Sequence, residues 1–220
     1  MNEAASAPSE MPSPRSEAKA VRRQALLDAA AGLFAAQGFA GVSLDDIGAA
    51  VGVSGPAIYR HFAGKQAVLG ALLVGVSRDL LKGGRAAALA PAESTANPRG
   101  PDQDRAPDDD AALRALVAFH VDFALSKPDV IRVQDRDFSS LAAEDQAAVR
   151  SLQLEYVEVW ARTLSHVHPD ASAAELRLRA QAVFGLINST PHSVRRTTRR
   201  TAGKLLESMA LAALTAPLPA

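Results

Sequence analysis

VGVSGPAIYRHF, from Val51 to Phe62, decides how this chain is read. Small, turn-forming residues stand directly against an Ile-Tyr-Arg-His-Phe block. A core helix does not carry that cluster, and a plain loop does not need it. The flanking residues supply the context. Upstream, Val21, Leu26, Leu27, Ala30, Leu33 and Phe34 recur at helical spacing over about 19–37, and Gly38 stops that helix. After the turn GFAGV, Ser43 is suited to cap a short helix over 44–51, with Asp46 in the capping-box position. Gly52 ends that helix by allowing positive φ. Ser54 is placed to cap a second short helix through His61, with Pro56 in its first turn, where a missing N–H costs nothing.

Helix, tight turn, helix is the pattern of a helix-turn-helix, whose second helix must be short and exposed on one side to enter a major groove. Gly48 provides the small residue that a close crossing needs. Ile47, Val53, Ile58 and Phe62 can seal the pair against Leu33 and Phe34. Ser54, Gly55, Pro56, Tyr59, Arg60 and His61 then point outward, and these are groove- and phosphate-facing types. Lys65 opens the next helix, where its charge and the free N–H groups can clamp a phosphate. Ser43 can do the same at the other helix start. An ordinary helical corner shows similar spacing, so spacing alone leaves both readings open.

The segment from Lys19 to Leu73, above all RQALLDAAAGLFAAQGFAGVSLDDIGAAVGVSGPAIYRHFAGKQAVLGALL, resembles the DNA-binding domain of the TetR family of transcriptional regulators. The skeleton LF…GF…S…I…VGVS…IYRHF…K carries the likeness. The resemblance implies an all-helical homodimer that sets one recognition helix per subunit into successive major grooves of a palindromic operator. It also implies repression relieved by a small molecule bound in the C-terminal body. On that pattern Ser43, Tyr59 and Lys65 align with phosphate-contacting positions, and Gly55 to Arg60 with His61 align with the recognition helix. The chain departs from the pattern in places. Gly55 stands where many relatives carry Lys. Gly64 stands where Ser or Asn is common. Gly48 replaces the usual Ala, which is expected to loosen its helix by about 0.5–1 kcal/mol.

The rest of the chain fits an all-α protein with a larger helical body. A long helix is expected from Lys65 to Ala90, and further helices over about 109–126, 130–137, 143–166, 172–189 and 197–215. The resulting organisation is a disordered tail at 1–17, a helix-turn-helix domain at 18–64, and a ligand-binding and dimerisation domain at 65–220 with a flexible loop at about 91–108. Lys and Arg balance Asp and Glu, so the net charge is +0, but the basic residues cluster near the start, at Arg60 to Lys65 and at Arg195 to Arg200. Segregated charge leaves a positive face on a neutral protein. There is no cysteine, which removes disulfides, thiolate nucleophiles and Cys-based zinc sites, and fits a cytoplasmic protein. No apolar run is long enough for a membrane span.

In the body, Phe119 and Phe123 share one helix face, as do Tyr156 and Trp160, and Phe184 and Asn188 lie on a later helix. These six residues are the candidate pocket, with His120, Asp137 and His192 as further polar groups. A plain helical core with satisfied polar edges is the competing reading. VFGLINSTPHS, Val183 to Ser193, resembles a stretch of actinobacterial TetR-type regulators associated with acyl-CoA and branched-chain acid catabolism genes. This raises an acyl-CoA effector whose phosphate Arg132, Arg136 or the Arg195 to Arg200 cluster would hold, unless that cluster is a solvated helix face. HVHPD, His166 to Asp170, cannot set both histidines on one helical face, so no metal is expected. The apolar sides of the last two helices would stay exposed in a lone subunit, and a two-fold four-helix bundle would cover them. No nucleophile with a base, no metal set and no phosphate-cradling glycine loop appears, so neither catalysis nor a cofactor is expected. The expected partners are double-stranded DNA, a small-molecule effector and a second copy of the chain. Regulation through protein partners, without a small ligand, is the alternative.

Overall fold

The computed structural model describes residues 14–89, 109–194 and 197–217. Among them the chain is helical and contains no strand. The helices are α1 (Pro14–Gly41), α2 (Leu44–Ala50), α3 (Gly55–Ile58), α4 (Lys65–Leu89), α5 (Asp109–Ser126), α6 (Pro128–Asp137), α7 (Ala143–Val167), α8 (Ala173–Asn188), α9 (Thr190–Ser193) and α10 (Arg199–Thr215). A 3-10 turn at Phe138–Ser140 separates α6 from α7. The loop expected at 91–108 lies outside the described residues, as do most of the expected tail, at 1–13, and Arg195 and Arg196. Helix begins at Pro14, inside the segment expected to be tail, so that boundary moves upstream.

Local signals explain where the elements start and stop. Gly38 takes φ 81° and ψ 156°, so α1 breaks there before its last residues. Pro128 ends α5 and opens α6, because a ring without an N–H is tolerated only in a first turn. Ser172 and Glu175 form a reciprocal capping box on α8, and Thr198 accepts from the Thr201 N–H at the start of α10.

Two hydrophobic cores stack along the molecule. The first joins Leu26, Ala30 and Phe34 of α1 to Ile47, Ile58, the Val68 to Leu73 turns of α4, Val130 and Val133 of α6, and Val149 of α7. The second joins Leu81 of α4 to Leu116 of α5, Trp160 and Leu164 of α7, Ile187 of α8 and Leu214 of α10. Each fully buried aliphatic or aromatic side chain contributes on the order of 1.5–3 kcal/mol. Helix α1 packs more extensively on α6 than on α2. The helix-turn-helix expected as a separate unit at 18–64 therefore shares its core with the body, and α4 and α7 run through both cores.

Candidate nucleic-acid interface and ligand cavity

The helix-turn-helix is built as its residue types require. Ser43 and Asp46 cap α2 reciprocally. The Asp46 N–H donates to Ser43 Oγ at 3.1 Å, and the Ser43 N–H donates to Asp46 Oδ2 at 2.8 Å. The Ser43 hydroxyl also donates to Asp46 Oδ2 at 2.7 Å. These bonds hold the Asp46 carboxyl below its usual range. Gly52 takes φ 67° in the turn. Gly48 touches the next segment so closely that a Cβ there would lie 2.6 Å from the Val53 carbonyl oxygen and 2.8 Å from Ile58 Cδ1. The glycine that looked like a loss of helix strength is the one residue that fits this crossing.

Ile47, Val53, Ile58 and Phe62 are buried, as expected. Ser54, Pro56, Tyr59 and Arg60 are exposed, Tyr59 by 61%. The recognition segment is shorter as a regular helix than its sequence suggests. Helix α3 ends at Ile58, and the chain continues to Phe62 through turns in which Ala57 and Ile58 accept from the N–H groups of Arg60 and His61. Ser54 caps through its backbone only, and its carbonyl accepts from the Ala57 N–H at 2.9 Å.

Two of the expected contact residues sit differently. His61 is half-buried, its ring lies 6.5 Å from that of Phe62, and its Nδ1 has no hydrogen-bond partner among the described residues. Lys65 reaches back to the end of α1. Its Nζ donates to the carbonyls of Phe39 at 2.7 Å and Ala40 at 3.4 Å, and lies 4.5 Å from the centre of the Phe39 ring. An ammonium there satisfies carbonyls at a helix end. Arg136 of α6 does the same one turn earlier, donating to the carbonyls of Phe34 and Ala35. The end of α1 is thus held by one cation from α4 and one from α6.

A cavity of about 220 Å³ lies beside the second core, lined by residues from α4 to α8 that include Ser77, His120, Gln134, Gln153, Tyr156 and Asn188. His120 is its most buried polar group. Its Nδ1 lies 3.1 Å from Tyr156 Oη, and its Nε2 lies 3.3 Å from Asn188 Oδ1. The Asn188 oxygen can only accept, so Nε2 carries the ring proton and Nδ1 accepts from the tyrosine hydroxyl. Burial drives the His120 pKa down to about 4 and raises that of Tyr156. The His120, Tyr156 and Phe184 rings lie within 18° of parallel, with centroids 4.8–5.7 Å apart, and Trp160 meets all three edge-on. The Trp160 indole N–H is buried and has no acceptor in hydrogen-bonding geometry among the described residues, although its nearness to the Tyr156 hydroxyl opposes the rise in that pKa.

Of the six pocket residues expected from sequence, Tyr156, Phe184 and Asn188 line this cavity. Phe119 packs against Gly83 of α4, Phe123 joins the second core, and Trp160 is fully buried behind the cavity wall. The glutamines and Ser77 were not anticipated. Each lies among other polar residues of its own helix, and only packing brings them together. Three of the arginines proposed for a CoA phosphate are engaged elsewhere. Arg132 binds Asp129 and the Pro191 carbonyl, Arg136 binds the end of α1, and Arg199 binds Asp122 and Ser126. None of them lines the cavity. Among the described residues no group of His, Asp or Glu is arranged to hold a metal ion, and no helix is long and apolar enough to cross a membrane.

Comparison with known proteins agrees with this arrangement. Residues 26–72 match the model described as "Bacterial regulatory proteins, tetR family", and residues 107–213 match "Tetracyclin repressor-like, C-terminal domain". No curated protein matches. A TetR-family transcriptional regulator from Bordetella parapertussis 12822 is 21% identical, with a TM-score of 0.72 over 88% of this chain and 94% of that one. PfmR, a TetR-family transcriptional regulator from Thermus thermophilus, is 20% identical, with a TM-score of 0.69 over 86% of this chain and 96% of that one. AibR, solved in complex with isovaleryl coenzyme A and operator DNA, is 18% identical, with a TM-score of 0.63 over 86% of this chain and 97% of that one. At these identities the solved structures share the fold.

Proposed function

This chain belongs to the TetR family of bacterial regulatory proteins, and from that membership we propose that it is a ligand-responsive transcriptional repressor. It acts in the cytoplasm as a homodimer on a palindromic operator, and a small molecule bound in the body releases it. It has no catalytic role. Ser43, Ser54, Gly55, Pro56, Tyr59, Arg60, His61 and Lys65 form the DNA-facing set. Tyr59 and Arg60 lie foremost because both are long polar side chains at exposed positions. His61 and Lys65 contribute from the edge, since one is half-buried and the other is bonded to the end of α1.

The observation that carries the reading is the position of the cavity. It touches Ser77 and Leu80 of α4, Gln134 of α6 and Gln153 of α7, and all three helices also supply the core beneath the helix-turn-helix. A ligand that binds one arrangement of these helices more tightly shifts the spacing of the two recognition segments in a dimer. A few kcal/mol of differential affinity suffices for this. AibR, which shares the fold, holds a coenzyme A thioester and operator DNA, and this supports a chain that reads both a small molecule and a duplex.

The test is a gel shift on the DNA upstream of the gene, at two salt concentrations, with an unrelated fragment as control. The expected result is a specific shift that weakens with salt. Tyr59→Ala should lose on the order of tenfold in affinity while remaining dimeric by light scattering. Wild-type protein that prefers no site, on this fragment or in a genome-wide selection, would overturn the regulator reading.

A further inference from the structure

The effector cavity is furnished for one kind of molecule. Its polar lining is made of carboxamides (Gln134, Gln153, Gln181 and Asn188), the Ser77 hydroxyl and the His120–Tyr156 pair, and among the described residues no Asp, Glu, Lys or Arg lines it. His120 cannot supply a charge in place of those residues. It is 2% exposed, and both ring nitrogens are committed to neutral partners. Burying an ionised ligand group without a counter-ion costs several kcal/mol, whereas an amide or hydroxyl finds donors and acceptors on the carboxamides. The stacked Tyr156 and Phe184 rings make part of the wall aromatic. The volume, about 220 Å³, compares with the roughly 150 Å³ of an engineered apolar cavity that holds benzene.

We propose that this cavity selects an uncharged, flat molecule of one or two rings bearing hydroxyl, carbonyl or amide groups, and discriminates against carboxylates and CoA thioesters. The proposal rests on the cavity being the effector site, but its test does not depend on DNA. Trp160 is the only tryptophan in the chain, and it meets three of the cavity's rings edge-on. Its fluorescence therefore reports occupancy.

The full chain is titrated with 4-hydroxybenzamide, with the nearly isosteric anion 4-hydroxybenzoate and with isovaleryl-CoA. The amide should change Trp160 fluorescence saturably, and the carboxylate should bind on the order of tenfold or more weaker. Gln153→Arg, at a half-buried lining position, should reverse that preference. Gln181→Leu, at an exposed position and so harmless to folding, should weaken the amide alone. Equal or tighter binding of the carboxylate or the thioester by wild-type protein overturns the proposal, and so does the absence of a saturable response to the amide. The same ligands are then added to the gel shift. Saturable amide binding that leaves the DNA complex intact would sink ligand-induced release and leave this inference standing. Release by the thioester alone would do the reverse.

Discussion

His120 shows how one residue's surroundings become a solution property. Its neighbours are Tyr156, Phe123, Trp160, Phe184 and Asn188, and none of them carries a charge. Its pKa is about 4 in the folded chain, against an ordinary 6.5. Between these values the unfolded chain binds more protons than the folded one, so stability falls as the pH drops from about 6.5 to 4. The loss is at most about 3 kcal/mol. Denaturant unfolding at stepped pH should show this slope in wild type and a flatter profile in His120→Gln, which keeps hydrogen-bonding capacity without titrating. Parallel profiles would assign the slope to other groups. The chain ALVAFHVDFAL shows a histidine on an aromatic helix face, but its partners lie on α7 and α8, beyond any spacing rule.

At the level of elements, the α2–α3 crossing and the end of α1 matter most. Gly48→Ala should raise the intrinsic helix preference of α2 by about 0.5–1 kcal/mol. The added methyl meets the Val53 carbonyl and Ile58 Cδ1, and overpacking of that kind costs about 1–3 kcal/mol. The expected outcome is a lower melting temperature and weaker operator binding. A raised melting temperature would mean that the crossing opens at little cost. At the end of α1, the Gly38 stop is plain from the sequence, yet the carbonyls it leaves behind are satisfied by Lys65 and Arg136, which come from two other helices. Lys65 looked like a pure phosphate contact because only its place at a helix start was visible. Its actual bonds make it a structural link between α1 and α4 as well.

At the scale of the whole molecule, α4 and α7 pass through both cores, so the helix-turn-helix end and the cavity end share two helices. Helices α8 and α10 leave Leu178 66% exposed, Leu205 58% and Met209 46%. The proposed dimer would place a second α8–α10 pair against these side chains. Leu205→Glu should yield a monomer by light scattering and reduce operator affinity on the order of tenfold or more, because one recognition segment alone holds half a palindrome. A variant that stays dimeric would place the interface elsewhere.

The amino-acid sequence by itself determined the helical class, the helix-turn-helix and most helix limits. Those depend on local chemistry: periodic apolar residues, the Ser43–Asp46 and Ser172–Glu175 caps, the Gly38 stop and the break at Pro128. Of the six residues expected for a pocket, Tyr156, Phe184 and Asn188, which stand out within their own helices, line the cavity. Only the tertiary structure decided that the N-terminal helices share a core with α6, that Phe119, Phe123 and Trp160 pack away from the cavity lining, and that single glutamines from three helices converge with His120. Those facts depend on which faces of distant helices meet, and helix packing over long sequence separations leaves no periodic trace in the chain.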